Sequence, residues 1–311
     1  MDEDLDRTAS LMTPAKLAQV KSAARAPVSP SAFLDQMAAD VGHQHVARLS
    51  ELRADLAAQA GASAAATIQP PLQRLAQALP SLDFGLLEQQ KSWWAGVTGK
   101  GRSAGAEFAA QFEGVEQAAE ALLKDIGAVH KQQQPHASAA DRTLVEFDVE
   151  YKALDKSIGQ GARWLQDMRN QLKSRAQAAA DPQGQEQIRQ DAARCEILVA
   201  RLKVLRAAAG ASQQVHQQAR ATAERRAALM QSVQQAVSRD LKAWRESLSS
   251  LAAAAAEGRA GKANLDGPRE AHADLQKRVA QVLADCDQLR TAEAALLRDL
   301  AAMDEQLQGA A

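Results

Sequence analysis

The sequence predicts an all-α protein, an elongated antiparallel bundle of long, kinked, coiled-coil-like helices. Apolar residues recur at alternating steps of four and three over many turns, which keeps one stripe of a helix apolar along its length. Gly and Pro are scarce in the second half of the 311-residue chain, as long helices require. Hydrophobic residues make up 46% of the chain but aromatic residues only 3%, a composition that suits a slender bundle better than a large globular core.

The first 103 residues are predicted to contain a tail and several short helices. Residues 1–30, acidic at the front and then interrupted by Pro, predict a disordered or partly helical tail. Residues 31–103 are predicted to hold short N-terminal helices and a Gly-rich hinge. Apolar residues at helical spacing, with prolines that begin or stop a helix, place these helices at Ser31–Gly61, Pro70–Leu79 and Leu82–Ala95.

Four glycines within ten residues predict the hinge, at Gly96, Gly99, Gly101 and Gly105. A Gly-rich loop before a helix can bind phosphate through its backbone amides. Here Lys100 lacks the Walker spacing Gly-x-x-x-x-Gly-Lys-Ser/Thr, and no strand is expected before it. We therefore interpret this stretch as a flexible connection between the N-terminal helices and the long ones.

Residues 104–311 are predicted to form a three-helix bundle, and its first arm, Ala104–Ala180, is the stretch around which the chain is organised. Pro135 and two successive steps of four before Leu144 disturb this arm, which predicts two roughly collinear, kinked halves instead of one rod. The apolar stripe of the arm consists of Phe108, Phe112, Val115, Ala119, Leu122, Ile126, Val129, Leu144, Phe147, Tyr151, Leu154, Ile158, Leu165, Met168 and Leu172.

The second arm is predicted over residues 185–257, after a turn at Asp181–Gly184. If it folds back antiparallel to the first arm, its small side chains at 207–223 lie against the large ones at 141–157. Small residues opposite large ones make a workable packing scheme, so the pairing of these two stretches is expected.

The third arm is predicted to begin near Pro268, because Pro suits the first turn of a helix. Glu293 is the one interruption of its strict 4-3 order. Three arms joined by two turns predict an up-down-up bundle. The apolar stripe of this arm consists of Leu275, Val279, Val282, Cys286, Leu289, Leu296, Leu300, Met303 and Leu307.

The composition argues against a nucleic-acid partner and against a membrane-spanning protein. The 37 basic and 38 acidic residues leave a net charge of −1, too small to attract nucleic acid or an anionic membrane. The acidic N-terminus has no apolar signal region, and no run approaches the roughly 18 apolar residues that a bilayer requires. We expect a cytoplasmic protein, with peripheral attachment to the inner face of the membrane as an alternative.

No catalytic or metal-binding pattern is present in the sequence, so we expect no enzyme activity, no cofactor and no metal. There is no Gly-x-Ser-x-Gly turn that would hold a nucleophile. His43 and His45 are two residues apart and would point to different faces of a helix, so they cannot chelate together. Cys195 and Cys286 fall on apolar stripes and are expected to act as small buried hydrophobes.

Two groups of residues are candidates for a binding surface. Trp93 and Trp94 are a candidate membrane anchor, because Trp favours the interface; the alternative is that they pin the hinge to the bundle. A basic stretch could bind an anion, a nucleic acid, an anionic lipid surface or a partner; the alternative is that it pairs with acids on neighbouring helices. The stretch comprises Arg194, Arg201, Lys203, Arg206, Arg220, Arg225 and Arg226.

Two runs of residues carry a resemblance to a known family. The first joins a Gly-containing loop to a helix with spaced aromatics and a Leu-x-x-Asp unit: Gly99-Lys-Gly-Arg102, Phe108-Ala-Ala-Gln-Phe112 and Leu122-Leu-Lys-Asp125. The second comprises Arg201-Leu202, Gln214, Gln218-x-Arg220, Leu229-Met-Gln-Ser-Val-Gln234 and Trp244-Arg245. In order and spacing these units resemble the TelA-type toxic anion resistance proteins.

The resemblance implies a cytoplasmic, non-catalytic helical protein connected with stress or with tolerance of toxic oxyanions such as tellurite. Two thiols per chain would make a poor scavenger of thiol-reactive oxyanions. We therefore favour a scaffold with protein partners over direct detoxification. Two alternatives stay open: a peripheral membrane-associated helical protein, and a structural coiled-coil protein that self-associates.

Overall fold

The computed structural model describes residues 35–36, 39–89, 100–260 and 263–311, and these residues form an all-α fold without β-strands. The predicted fold class is therefore confirmed. A 3₁₀ turn follows α2 at Leu79–Ser81. The helices are α1 (His43–Gly61), α2 (Ala64–Ala78), α3 (Gly85–Gln89), α4 (Lys100–Ala178), α5 (Pro182–Gln231), a π-helical segment (Ser232–Val237), α6 (Ser238–Ala256) and α7 (Asp266–Ala310).

The chain divides into two compact units. Unit A contains the described residues up to Val46, together with Ala153–Ala207 and Ala310–Ala311. Unit B contains Ala47–Lys152 and Ala208–Gly309. Both α4 and α5 contribute to both units. The domain limits predicted at residues 30 and 103 stay predictions, and the predicted tail and the tryptophan pair lie outside the described residues.

The long helix α4 continues through Pro135 as one helix of 79 residues, so no break separates the two predicted halves, and the kink expected there stays a prediction. A proline inside a helix removes one hydrogen bond and costs about 3 kcal/mol. Buried side chains on either side, at Val129 and Ala140, hold the two flanking stretches in their helical positions. Gly101 and Gly105, expected in the hinge, lie in the first two turns of this helix.

The first two helices also begin elsewhere than predicted. The helix expected over Ser31–Gly61 is interrupted at Gly42, which has φ of +75°, so α1 starts at His43. The helix expected from Pro70 starts earlier, at Ala64. The hydroxyl of Ser63 accepts a hydrogen bond from the amide of Ala66 at 3.4 Å, which satisfies one of the free amides at a helix N-terminus.

The interruption at Gly42 fits the packing of unit A. A Cβ at this position would lie 2.8 Å from Cδ1 of Leu154 and 3.2 Å from both terminal methyl carbons of Leu205. The positive φ is itself unfavourable for a residue that carries a side chain. Gly42 is therefore required both by the backbone conformation and by the close approach of α4 and α5.

We expect Gly42→Ala to lower the free energy of unfolding by about 1–3 kcal/mol, because strain at a positive φ has that cost and two leucines must also move. Gly159→Ala is the matched control in the same unit, since no heavy atom lies within 4 Å of its added Cβ. Because Gly159 is helical, that change should stabilise by about 0.5–1 kcal/mol. Urea unfolding followed by circular dichroism measures both; equal midpoints for the two variants would contradict the assignment.

The α4 and α5 helices run antiparallel within each unit. In unit A, Arg175 donates a hydrogen bond to Asp191 at 2.9 Å, and further from the turn a Cβ on Gly161 would lie 2.9 Å from Leu202. In unit B, the ring of Phe147 stacks on His216 with centroids 6.2 Å apart. Residue numbers rise along α4 as they fall along α5, so the expected pairing of 141–157 with 207–223 is confirmed.

The core of unit B is built around Trp244, which is fully buried on α6. Its ring stacks on Phe112 of α4 with centroids 5.1 Å apart. Its indole Nε1 donates a hydrogen bond to Nδ1 of His272 on α7 at 3.2 Å. Burial lowers the pKa of His272, so the ring stays a neutral acceptor for the indole. One side chain therefore connects α4, α6 and α7.

The helix α7 supplies one face of the core as predicted. Every member of its predicted apolar stripe is buried. Pro268 lies in the first turn of the helix, as expected. Glu293, the predicted interruption of the stripe, is buried as well, and its partner is described with the candidate site.

Candidate functional site

The seven predicted basic residues are divided between the two units, four in unit A and three in unit B. The four basic residues of unit A differ from one another in burial and in ion pairing. Arg194 pairs with Asp35 at 3.1 Å and with Asp191 at 3.4 Å. Arg201 is half-buried, and its Nε and one Nη have no hydrogen-bond partner among the described residues; burial lowers its pKa. The remaining two of unit A, Lys203 and Arg206, are exposed.

The three basic residues of unit B point in different directions from α5. Arg220 pairs with Glu224 on the same helix at 3.1 Å. Arg225 is exposed. Arg226 turns inward and pairs with Glu293 of α7 at 2.7 Å. Pairing with acids, one of the two alternatives for this stretch, therefore accounts for Arg220 and Arg226 here, while a binding role for Arg225 stays a prediction.

Arg226 lies at the centre of a buried polar cluster in unit B. Besides Glu293, its guanidinium donates to the backbone carbonyl of Gln59 on α1 at 3.4 Å. The side-chain amide of Gln59 donates to the hydroxyl of Thr143 on α4 at 3.2 Å. Four helices, α1, α4, α5 and α7, thus meet through hydrogen bonds. Buried charges require such partners, and this cluster explains the acidic interruption of the α7 stripe.

The part of α5 between His216 and Met230 lines cavities on both of its sides in unit B. On the α4 side, cavities of about 520 Å³ and about 320 Å³ share Asp141, Ala223 and Ala227 among their lining residues. We call this continuous depression the α4–α5 groove. Its lining residues are His130, Ala137, Ser138, Ala140, Asp141, Leu144, Val145, Asp148, Lys152, His216, Arg220, Ala223, Glu224, Arg226, Ala227 and Met230.

Ionisable groups at one end of the α4–α5 groove interact with one another. Lys152 donates a hydrogen bond to Asp148 at 2.6 Å, which holds the pKa of Asp148 below its usual value and that of Lys152 above it. Burial lowers the pKa of His216, and the nearby carboxylate of Asp148 partly opposes this. His216 is therefore a neutral, aromatic part of the wall, in contact with Phe147 and Tyr151.

On the α7 side of α5 lies a cavity of about 600 Å³. Arg225 reaches its wall, together with the side chains of Gln218, Gln288 and Thr291. The carboxylate of Asp287 lines the same cavity and accepts a hydrogen bond from Gln69 of α2 at 2.8 Å. A cation and a carboxylate in one open cavity give it a mixed polar character, without the excess positive charge that an anion site requires.

The π-helical segment Ser232–Val237 was not predicted, although the sequence carries a signal for it. The buried residues Leu229, Val233, Val237 and Leu241 follow each other in three steps of four. In an α-helix of 3.6 residues per turn, three such steps rotate the stripe by about 120°. The wider turns of a π-helix remove this drift, so all four side chains face the same core.

Trp244 and Arg245, a unit singled out in the sequence, join α6 to α4 by two kinds of contact. The indole packs in the core, as described above. The guanidinium of Arg245 pairs with Glu116 at 2.8 Å and with Glu120 at 3.0 Å. Both residues therefore have structural partners, and the half-exposed ion pairs close the edge of the core next to the tryptophan.

Neither thiol is available for chemistry at the surface. Cys195 and Cys286 are both buried and unpaired, as the sequence predicted. Burial raises the pKa of Cys195 and raises the pKa of Cys286 to about 12. Since the thiolate is the reactive form, both side chains are protonated and inert at neutral pH.

No group of three or more His, Cys, Asp or Glu side chains in the described part of the chain is arranged to hold a metal ion. The predicted divergence of the histidine pair is seen in their exposure: His43 is exposed and His45 half-buried. Among the helices described, none has the length and apolar character needed to cross a membrane.

A comparison with known protein families identifies the family of the chain. The family model of the toxic anion resistance protein (TelA) matches residues 34–263, well over half of the chain. The match includes α1–α6, the α4–α5 groove and the π-helical segment. No curated protein and no solved structure matches the chain.

Proposed function

Because the chain belongs to the toxic anion resistance (TelA) family, we propose that it is a non-catalytic helical scaffold that supports tolerance of toxic oxyanions such as tellurite. In this proposal the protein acts in the cytoplasm and through protein partners. The family supplies the link to toxic anions. The scaffold role rests on properties of the chain itself, set out below.

The observation that carries the scaffold role is the state of the two thiols. A protein that consumed a thiol-reactive oxyanion would need accessible sulfur in its thiolate form. Here Cys195 and Cys286 are buried, and burial raises the pKa of each. The structure supports a contribution to tolerance that does not depend on either sulfur. Apart from the thiols, the protein offers packed helices with grooves between them, and such grooves suit the binding of partners.

A growth experiment tests both parts of this proposal. The gene is deleted and replaced by the unaltered gene or by a Cys195→Ala, Cys286→Ala double variant, and growth is measured over a tellurite series. Deletion should increase sensitivity, and both genes should restore growth equally. Unchanged sensitivity on deletion would overturn the link to toxic anions. Failure of the double variant, at normal protein level, would overturn the scaffold role in favour of thiol chemistry.

Loss of packing at Cys286 needs its own control. Val282→Ala removes a fully buried side chain one turn away on α7 without touching a thiol. If this variant and the cysteine double variant lose the same amount of folded protein, as read from thermal unfolding, any shared growth defect reports stability and not sulfur chemistry. A defect confined to the cysteine variant would be the result that contradicts the proposal.

A further inference from the structure

The α4–α5 groove has the length and the floor of a helix-binding site. It follows residues 130–152 of α4 and 216–230 of α5. At 1.5 Å per residue the longer side spans about 33 Å, which is roughly six helical turns. Small side chains in a floor allow a further helix to approach closely. The apolar side chains of this floor are Ala137, Ala140, Leu144, Ala223, Ala227 and Met230.

One exposed valine lines the groove, and a second exposed valine follows it on α4. Val145 is 65% exposed and Val149 is 58% exposed, and they stand one turn apart on α4. Val145 lines the groove. Scattered apolar residues at a surface need no explanation, but these two are large, branched and adjacent, next to an apolar floor. Val145 and the floor form a strip that a partner would remove from water.

The charges of the groove indicate what such a partner must carry. Lys152 is paired with Asp148, Arg220 with Glu224, and Arg226 with Glu293. Asp141 lines both cavities of the groove and has no ion pair within the described residues. Covering this carboxylate with an apolar surface would leave a charge without water or a partner, which is costly. A ligand that fills the groove must therefore bring a cation to Asp141.

A second copy of the same chain is a poor occupant for the groove. In a twofold-symmetric dimer across this face the same patch would meet itself. Two copies of Asp141 would then approach each other, while the Lys and Arg side chains that line the groove are already paired within each copy. The acidic residues next to the valines on α4, Glu146 and Asp148, already have partners, so their cations are not free to neutralise the added charge. Like charges brought together in this way oppose association.

We propose that the α4–α5 groove binds an amphipathic helix of a partner protein that carries a Lys or Arg in the middle of its apolar stripe, opposite Asp141. The apolar stripe of that helix covers the alanine-rich floor and Val145, in the manner of helix-in-groove recognition. This inference rests on the proposed scaffold role, since it identifies the surface on which the scaffold holds a partner.

The test is site-specific cross-linking in the full-length protein, expressed in its own cells. The photoreactive residue p-benzoylphenylalanine replaces Val145, and in a matched control it replaces Ile197, which is also exposed, at 60%, but belongs to unit A. After irradiation, the cross-linked peptides are identified by mass spectrometry. The expected product joins position 145 to another protein, at a segment with apolar residues three and four apart and a Lys or Arg in their middle; position 197 should not give it.

A charge exchange then decides whether Asp141 is the contact. Asp141→Lys should reduce the cross-link yield about tenfold, as truncation or reversal of an interfacial charge commonly does. Changing the basic residue of the partner to Asp should restore the yield. Since Asp141 is exposed, thermal unfolding of the variant should be unchanged. A cross-link yield that is restored by the change in the partner would also show that Asp141→Lys does not act by misfolding the protein.

Four cross-linking results would overturn the inference: a cross-link to a second copy, a cross-link to the N-terminal residues of the same chain, no cross-link above the Ile197 control, or a yield that Asp141→Lys leaves unchanged. The tellurite growth assay separates this failure from failure of the proposed function. If deletion increases sensitivity and the groove variants still restore growth, the groove inference is wrong and the proposed function stands. If deletion has no effect on growth, the proposed function fails whatever the cross-linking shows.

Discussion

Glu293→Ala is expected to lower the free energy of unfolding by about 3–5 kcal/mol, the cost of leaving one charge of a buried pair without its partner. Arg226 would then keep only the carbonyl of Gln59, at 3.4 Å, and its charge would stay buried among α1, α5 and α7. The loss should be visible as a lower urea midpoint measured by circular dichroism.

Two comparison variants show whether burial is the cause. Glu224→Ala removes the acid of an exposed pair with Arg220 on the same helix, and such pairs contribute about 0–1 kcal/mol. An Arg226→Leu, Glu293→Leu double variant removes both buried charges, and it should recover most of the loss because the uncompensated charge is gone. If Glu293→Ala costs no more than Glu224→Ala, the polar cluster does not stabilise unit B as described.

Trp244→Ala is expected to be as damaging, at about 3–5 kcal/mol. It opens a large cavity where α4, α6 and α7 meet, and it removes both the stacking on Phe112 and the hydrogen bond to His272. Trp244→Phe keeps an aromatic ring and loses chiefly the indole donor, so about 1–2 kcal/mol is expected from an unsatisfied buried acceptor. Urea unfolding of the two variants gives the difference; equal losses would show that ring packing is not the main contribution.

The apolar spacing was sufficient to predict the long helices and their inward faces. Along α4 and α7 the helix geometry alone decides which side chains share a face, so the stripes could be written down before any contact was known. The antiparallel pairing followed from the same pattern, since the small side chains near His216 needed large ones such as Phe147 opposite them. These features depend on residues that are close together in the chain, so the sequence alone was enough to predict them.

Features that depend on distant neighbours were missed. Gly42 interrupts the helix that was expected over Ser31–Gly61, and the leucines that leave no room for a side chain there, Leu154 and Leu205, are far away in the sequence. The early start of α2 at Ala64 was readable in principle, because Ser63 is a good N-cap followed by alanines. The start was predicted too late because Pro70 and Pro71 indicated the first turn of the helix.

The candidate site was predicted only in part, and for a similar reason. The sequence identified the basic stretch, but it could not predict that its residues would be divided between two units. Arg226 is buried because Glu293, 67 residues further along the chain, is aimed at it. The α4–α5 groove arises from alanines, which look unremarkable in a chain so rich in that residue. Small side chains become a site only once two helices hold them side by side.

The π-helical segment at Ser232–Val237 has a consequence for the length of the chain. It behaves as a single inserted residue within an otherwise regular helix. A chain one residue shorter between Val233 and Val237 would step by four, three and four across the same apolar positions, and the helix would close with ordinary turns around an unchanged core. The flanking helices have no such freedom, because there a deletion would rotate every later side chain out of the core by about 100°. This short segment is therefore where the second arm can change its residue count without changing what it buries.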